Sequence, residues 1–353
     1  MKIKLAILEN DQNYLNRIVS AFSVKYPDNL EIYSFTNIHT AISSIESSRF
    51  DILIADSSFE IDVASLPKRC GFAYFVDSAD IEMFNNQRAI CRFQKADLIY
   101  RQILSIYSET AGNLSGFKLG DDSSKIIAFT SPSGGVGTST VAAACALHFA
   151  TSGKKTLYLN FEKFGSSDLF FSGEGQFDMS DIIFALKSKK ANLAMKLESC
   201  VKQDLRGIYF YSGAKIALDM LELNADDILR LITEVEIAGS YDYIVLDLDF
   251  SMNKEMRQIL SQAMSIVWVG DGSEASNTKI ARAYSAFSIK ENNEEIPLTN
   301  RLSLIYNRFS SKTGKTVGID ELRNVGGAPW YKQATTEQII IELSKMSMFD
   351  KIC

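Results

Sequence analysis

Short runs of apolar and β-branched residues alternate with segments of helical length along the whole chain. Buried parallel strands need such runs, and helices connect one strand to the next. The alternation therefore predicts an α/β fold with mostly parallel sheets. The runs that we take as strands are residues 4–8, 52–55, 72–76, 90–94, 125–130, 156–159, 241–247, 265–270 and 302–306.

The alternation weakens between residues 108 and 125, where Gly, Ser, Asn and Asp cluster with little periodicity. Such a composition is typical of a linker. We therefore expect a first domain over residues 1–112, a linker over residues 113–124 and a second domain over residues 125–353. A typical domain has about 150 residues, so a chain of 353 residues is long enough for two sizeable cores.

Composition and charge argue against several classes of protein. The chain has 37 Lys and Arg against 43 Asp and Glu, a net charge of -6, and no basic cluster. A nucleic-acid partner is therefore not expected. The longest apolar stretch, residues 141–150, is too short to span a bilayer, and the N-terminus has no signal-peptide pattern, which favours a cytoplasmic protein. The cysteines and histidines lie far apart, so we expect neither disulfides nor structural zinc.

Residues with acidic, hydroxyl or cationic side chains follow the strands predicted in the first domain. Because the carboxyl ends of parallel strands meet at one crevice, their oxygens can hold Mg²⁺ there. In chain order these residues, with the amide that stands among them, are Glu9, Asn10, Asp11, Asp56, Asp77, Ser78 and Lys95. The order resembles the receiver domain of two-component response regulators, which implies a flavodoxin-like parallel sheet.

On that resemblance Asp56 would be the phospho-acceptor, Ser78 the switch hydroxyl and Lys95 the cation that contacts the phosphoryl group. The chain departs from the receiver pattern at Asn10, which replaces a metal-ligating acid, and at Ala96, which replaces a proline. The stretch from Asp56 to Lys95 is also short. We therefore favour a pseudo-receiver that serves as a docking or dimerisation surface, and phosphorylation of Asp56 stays the alternative.

The second domain opens with a glycine-rich turn between a predicted strand, residues 125–130, and a predicted helix, residues 141–151. In such a turn backbone N–H groups surround phosphate oxygens, and the helix N-terminus adds about half a positive charge. The Ser139 hydroxyl stands where these loops ligate Mg²⁺. The predicted nucleotide-binding residues of the turn are Gly134, Gly135, Val136, Gly137, Thr138, Ser139 and Thr140.

The turn resembles K-G-G-x-G-K-[ST]-T, the deviant Walker A loop of the MinD/ParA family of dimeric ATPases. The match fails only at the two lysines, which Ser133 and Thr138 replace. In the family the first lysine reaches the nucleotide of the partner subunit, and the second neutralises the β- and γ-phosphates. Without these transition-state cations the resemblance implies ATP binding with slow or negligible hydrolysis.

Further motifs follow in the order that this family implies. Asn160-Phe161-Glu162 is similar to the D-x-D motif that positions the attacking water, which makes Glu162 a catalytic candidate. Asp247 ends a Walker B-like strand, and it would bind Mg²⁺ through water and take part in catalysis. Asn307 and Arg308 resemble the element that reads adenine through amide hydrogen bonds and stacking. The alternative for these two residues is a strand-end turn with a surface arginine.

A degenerate receiver joined to a MinD/ParA-type P-loop NTPase domain resembles the TadZ/CpaE family, which helps to localise and assemble the secretion machinery of Tad (type IVb, Flp) pili. The resemblance implies a homodimer over two nucleotides, with ATP and Mg²⁺ as cofactors and other pilus-assembly proteins as partners. Those partners would recruit the cytoplasmic protein to the inner membrane or a cell pole. A cycling MinD/ParA-type ATPase and a phosphorylation-controlled two-component signalling protein remain the alternatives.

The end of the chain carries a predicted amphipathic helix over residues 337–349. Helices that bind anionic membranes combine an apolar face with several cations. Here Lys345 is the only cation in the segment. We therefore expect this helix to pack on its own domain, without direct insertion into a membrane.

Overall fold

The computed structural model describes residues 2–110, 124–188, 192–239, 241–294 and 297–352. The linker predicted at residues 113–124 lies outside these ranges apart from residue 124. The chain forms two compact units, one of Met1–Gly116 with Ala185–Cys200 and one of Phe117–Phe184 with Val201–Cys353. Each unit is built on a mostly parallel sheet flanked by helices, which confirms the predicted two-domain α/β fold.

The first unit holds a sheet of six strands in the order β2-β1-β3-β4-β6-β5. Every neighbouring pair is parallel except β5 and β6, which are antiparallel. Strands β3 and β4 are buried along their whole length. The elements are β1 (Ile3–Leu8), α1 (Gln12–Lys25), β2 (Leu30–Phe35), α2 (Ile38–Ser48), β3 (Ile52–Asp56), β4 (Gly71–Val76), β5 (Met83–Phe84), β6 (Gln87–Cys91) and α3 (Ala96–Thr110).

The short stretch between Asp56 and Lys95 explains how this sheet departs from a regular alternation of strands and helices. A single 3₁₀ turn, Val63–Ser65, lies between β3 and β4. The two-residue strand β5 takes the place of a helix before β6. The carboxyl ends of β1, β3, β4 and β6 nevertheless lie side by side, so the residues that follow them meet at one edge of the sheet.

The second unit holds a sheet of eight strands in the order β14-β13-β12-β7-β11-β8-β10-β9, parallel except between β9 and β10. The remaining elements of the chain are β7 (Lys125–Thr130), α4 (Thr138–Thr151), β8 (Thr156–Asn160), α5 (Met179–Ser188), α6 (Leu193–Cys200), β9 (Lys202–Gln203), β10 (Tyr209–Phe210), α7 (Ala217–Leu221), α8 (Ala225–Gly239), β11 (Tyr243–Asp247), α9 (Lys254–Ser261), β12 (Ser265–Gly270), α10 (Glu274–Glu294), β13 (Leu302–Tyr306), β14 (Arg323–Gly327) and α11 (Thr336–Ser344).

Helix α4 lies inside the second unit, which is why it is apolar on all sides. It packs on β11 and β8 and also against α11. Phe349 beyond α11 is completely buried, and the His148 ring bonds to the carbonyl of Ser344 at 2.7 Å and to Asp350 at 2.9 Å. The predicted packing of the C-terminal segment on its own domain is therefore confirmed.

Helix α6 belongs to the first unit although it stands far along the chain. It packs on α3, where the backbone N–H of Asn192 donates to the carbonyl of Ser108 at 2.8 Å. The buried Lys196 donates to the Ser105 hydroxyl at 3.0 Å. Helix α6 thus covers part of the α3 surface. No pattern in the sequence predicted this packing.

Candidate functional site

The glycine-rich turn connects β7 to α4 in a backbone shape that requires glycine. Gly135 and Gly137 have φ angles of 78° and 85°, in the left-handed region that other residues avoid. A Cβ added to Gly137 would lie only 2.5 Å from the Asn307 amide nitrogen. The loop and the strand that ends before Asn307 are therefore fitted against each other.

The Ser131 hydroxyl fixes the start of the loop. It donates to the carbonyl of Val269 at 2.6 Å and accepts from the backbone N–H of Ser133 at 3.0 Å. Ser133, which stands where the related family has its first lysine, is itself buried. The backbone N–H of Ser133 thus helps to fix the loop, and this position offers no cation to a ligand.

A cavity of about 500 Å³ opens above the loop. Gly137 is the N-cap of α4, and no side chain caps that helix end, so its first N–H groups keep their capacity to bind an anion. The cavity is lined by Ser131, Ser133, Gly134, Gly135, Gly137, Thr138, Ser139, Glu162, Leu248, Asp249, Phe250 and Arg308. Most of the predicted nucleotide-binding residues of the loop therefore line one cavity.

Glu162 and Asp247 are joined in one hydrogen-bond network beside this cavity. The Ser139 hydroxyl donates to Glu162 Oε2 at 2.9 Å. Asn160, which pairs with Asp247 across β8 and β11, donates to Asp247 Oδ2 at 2.9 Å and to Glu162 Oε2 at 3.3 Å. Residues from three separate motifs thus lie together at the ends of adjacent parallel strands.

Asp247 is the most strongly perturbed acid of this network. Its side chain is completely buried, and the Tyr158 hydroxyl donates to Oδ2 at 2.7 Å. Burial, followed by the charge of Glu162, raises the pKa of Asp247 to about 8. Its other oxygen, Oδ1, has no hydrogen-bond partner among the described residues, which is costly for a buried polar atom.

The oxygens at this point suit a magnesium ion that is held mainly by phosphate and water. Among the described residues, no group of three or more His, Cys, Asp or Glu side chains could hold a metal ion alone. Mg²⁺ needs only one or two protein ligands when a nucleotide supplies the rest. The hydroxyl of Ser139 and the unpartnered Oδ1 of Asp247 are the groups that fit this role.

Asn307 and Arg308 both contact the glycine-rich loop. The buried Asn307 donates from its amide to the carbonyl of Val136 at 2.8 Å. Arg308 donates from Nη1 to the carbonyl of Gly135 at 3.0 Å and lines the cavity. The structure thus joins these residues to the loop, and their contact with adenine stays a prediction.

A second cavity, of about 410 Å³, follows the same strand. Its lining is Tyr306, Phe309, Ser311, Thr316, Asn324, Gly326, Gly327, Ala328 and Pro329. No sequence pattern indicated this cavity. Strand β14, which lines it, is glycine-rich and lacks the apolar run of a buried strand.

In the first unit an arginine lies at the centre of the acidic crevice. The Arg92 guanidinium is 2.9 Å from Asp56, 3.4 Å from Glu9 and 2.5 Å from Asp77. Glu9 is completely buried, and burial raises its pKa. Three acids from three strand ends therefore share the guanidinium of Arg92. This arginine directly follows β6, and it was not among the residues predicted from the sequence.

The other predicted receiver residues have different surroundings. Asp11 caps α1, accepting from the N–H groups of Asn13 and Tyr14. The Ser78 hydroxyl donates to Asp80 at 3.4 Å. The second oxygen of Asp56 accepts from the hydroxyl and the N–H of Ser58. Both oxygens of the predicted phospho-acceptor are thus hydrogen-bonded within the chain.

The comparison with protein families agrees with this geometry. Residues 1–108 match the family described as "TadZ-like, receiver domain". The first unit is thus similar to a TadZ-like receiver domain. It carries the acidic crevice of a receiver with Arg92 bound inside it. No curated protein sequence matches the chain.

The second unit has a fold similar to that of a ParA family ATPase. A ParA family ATPase from Chlorobium tepidum TLS is 20% identical over 65% of this chain and 96% of its own, with a TM-score of 0.50. The cell division ATPase MinD from Pyrococcus furiosus is 14% identical over 65% and 99%, with a TM-score of 0.48. The match of residues 1–108 and the fold of the second unit agree with the predicted combination of a receiver-like domain and a ParA-type domain.

Within the ranges that the structure describes, no helix is both long and apolar enough to cross a bilayer.

Proposed function

We propose that this chain binds ATP with Mg²⁺ in the cavity above the glycine-rich loop and works as a dimeric localisation and assembly factor for a Tad pilus secretion machinery. The observation that supports nucleotide binding is the uncapped N-terminus of α4, which opens into a cavity of about 500 Å³. The TadZ-like receiver domain supports the assignment to Tad pili.

Different groups in and around the loop would bind the phosphates, the Mg²⁺ ion and the base. Backbone N–H groups from Gly134 to Thr140 and the dipole of α4 would bind the phosphates. Ser139 and Asp247 would hold Mg²⁺, which neutralises phosphate charge when bound. Asn307 would contribute its amide to the base.

The same loop supports weak hydrolysis. Ser133 is buried and Thr138 begins α4, so neither of the two lysine positions offers a cation to the γ-phosphate. Cations at the transferring phosphoryl group are worth several powers of ten in rate. ATP would therefore act mainly as a ligand that stabilises the assembled protein.

A calorimetric titration of ATP into the protein, with and without Mg²⁺, tests the binding. We expect Ser139→Ala to lose about tenfold in affinity in the presence of Mg²⁺ and little in its absence. Ser152→Ala, at the exposed end of the same helix, is the matched control. Sedimentation velocity should show dimers with Mg²⁺-ATP and monomers without it. An absence of ATP binding would overturn the proposal.

The second candidate function is a cycling ATPase. It rests on Glu162, whose carboxylate lines the cavity and is held by Ser139 and Asn160. A carboxylate in that place can orient water. Steady phosphate release that Glu162→Gln abolishes would favour this candidate over the scaffold.

A further inference from the structure

Arg308 is the one cationic side chain in the lining of the cavity above the glycine-rich loop. The two acids in the lining are both hydrogen-bonded: Glu162 accepts from Ser139, and Asp249 accepts from the backbone N–H of Lys163 at 3.0 Å. A polyphosphate entering this cavity would meet two carboxylates and one guanidinium. The balance of charge therefore depends on Arg308.

The backbone holds Arg308 in a conformation that a non-glycine residue rarely adopts. Its φ angle is 56°, in the left-handed region that residues other than glycine avoid. Both neighbours are fixed by short backbone bonds, from Asn307 to Gly270 at 2.7 Å and from Phe309 to Ala328 at 2.8 Å. The turn is thus held in place on both sides, with the Arg308 side chain against the loop.

The guanidinium of Arg308 keeps most of its hydrogen-bonding capacity. Its bond to the carbonyl of Gly135 uses one of five N–H donors. Among the described residues it forms no ion pair with a carboxylate, unlike Arg92 and Arg206. A Cβ added to Gly137 would lie 3.6 Å from Nη2 of Arg308, so the guanidinium also lies close to the N-cap residue of α4.

We propose that Arg308 is the cation that binds the phosphates of the ground-state nucleotide in this site, where positions 133 and 138 carry no lysine. This inference rests on the proposed binding of ATP. It assigns Arg308 to the phosphates and leaves the base to other residues. A planar guanidinium can form two hydrogen bonds to a phosphate at once, which suits this role.

Calorimetric titrations with ATP, ADP, AMP and adenosine distinguish binding of the phosphates by Arg308 from binding of the base. If Arg308 binds phosphate, Arg308→Gln should lower the affinity for ATP about tenfold to a hundredfold, the affinity for AMP less, and that for adenosine hardly at all. Arg308→Lys should recover part of the loss, because it keeps the charge. Arg323→Gln, at an exposed arginine of β14, is the matched control and should bind as the wild type does.

The outcomes distinguish this inference from the proposed function. If the wild type binds none of the four ligands, the proposed function fails. If the wild type binds ATP and Arg308→Gln binds it equally well, only the inference fails. An equal loss for all four ligands would assign Arg308 to the base and overturn the inference. Thermal unfolding of each free variant shows that it is folded; if Arg308→Gln is not, the comparison between Arg308→Lys and the wild type decides.

Discussion

The guanidinium of Arg92 lies 2.9 Å from the carboxylate of Asp56, the residue that a receiver would phosphorylate. The same guanidinium contacts Glu9 and Asp77, so it stands among the acids that would otherwise surround a metal ion. A guanidinium in that place offsets part of the negative charge of the three carboxylates. It also ties the ends of three strands together.

We expect no stable phosphorylation of Asp56. Its two oxygens accept hydrogen bonds from Arg92 and Ser58, which makes them weaker nucleophiles toward a phosphodonor. The test is incubation with a labelled small phosphodonor and Mg²⁺, with Asp56→Asn as the blank. Labelling of the wild type above the blank would contradict the expectation and support the signalling alternative.

Replacing Arg92 with Gln should destabilise the receiver domain by about 2 kcal/mol, because it leaves buried acids without their cation. The double variant with Glu9→Gln should recover part of that loss, since it removes the completely buried charge. Urea unfolding of the two single variants and the double variant measures the coupling. Strictly additive effects would show that Arg92 and Glu9 do not interact.

Gly137→Ala should abolish tight ATP binding, because its Cβ would lie 2.5 Å from the amide of Asn307. Gly153→Ala separates this clash from backbone strain: Gly153 has a similar φ of 79° but nothing within 4 Å of the added Cβ. Each variant should lose about 1 kcal/mol of stability from the left-handed backbone. Calorimetry should find ATP binding intact only in Gly153→Ala; equal binding by both would refute the fitted contact.

Phe349→Ala should cost about 3 kcal/mol or more of unfolding free energy, because the ring is completely buried beside His148. Trp330→Ala removes another large aromatic that is 61% exposed, and it should change stability by about 0.5 kcal/mol or less. Chemical unfolding compares the two. If Phe349→Ala is as stable as Trp330→Ala, the C-terminal segment is not part of the core.

Local patterns predicted the strands of the second sheet well. Residues 125–130 and 302–306 are predominantly apolar runs, and they match β7 and β13 residue for residue. Burial on both faces makes such strands readable from the sequence alone. Ser139, Glu162 and Asp247 were identified from separate motifs, and the structure joins them in one hydrogen-bond network. Their roles in binding and catalysis stay predictions.

Tertiary contacts between distant residues could not be predicted in this way. The bond from Arg308 to Gly135 depends on a left-handed turn that no motif announces. Helix α6 lies in the receiver unit because it packs on α3, and periodicity describes a helix without naming its neighbour. Arg92 was missed because the expected cation was Lys95, three residues later along the chain.

The central claim is that ATP binds as a stabilising ligand and is hydrolysed slowly or not at all. Measuring whether bound ATP is hydrolysed tests this claim most directly. The protein is loaded with ATP labelled at the γ-phosphate, held with Mg²⁺ for several hours, and denatured at intervals so that nucleotide and phosphate can be separated. We predict that the label stays on ATP, because the positions of both lysines carry hydroxyl residues, Ser133 and Thr138. Conversion of the bound ATP to ADP within minutes would contradict the account of a nucleotide-stabilised assembly factor.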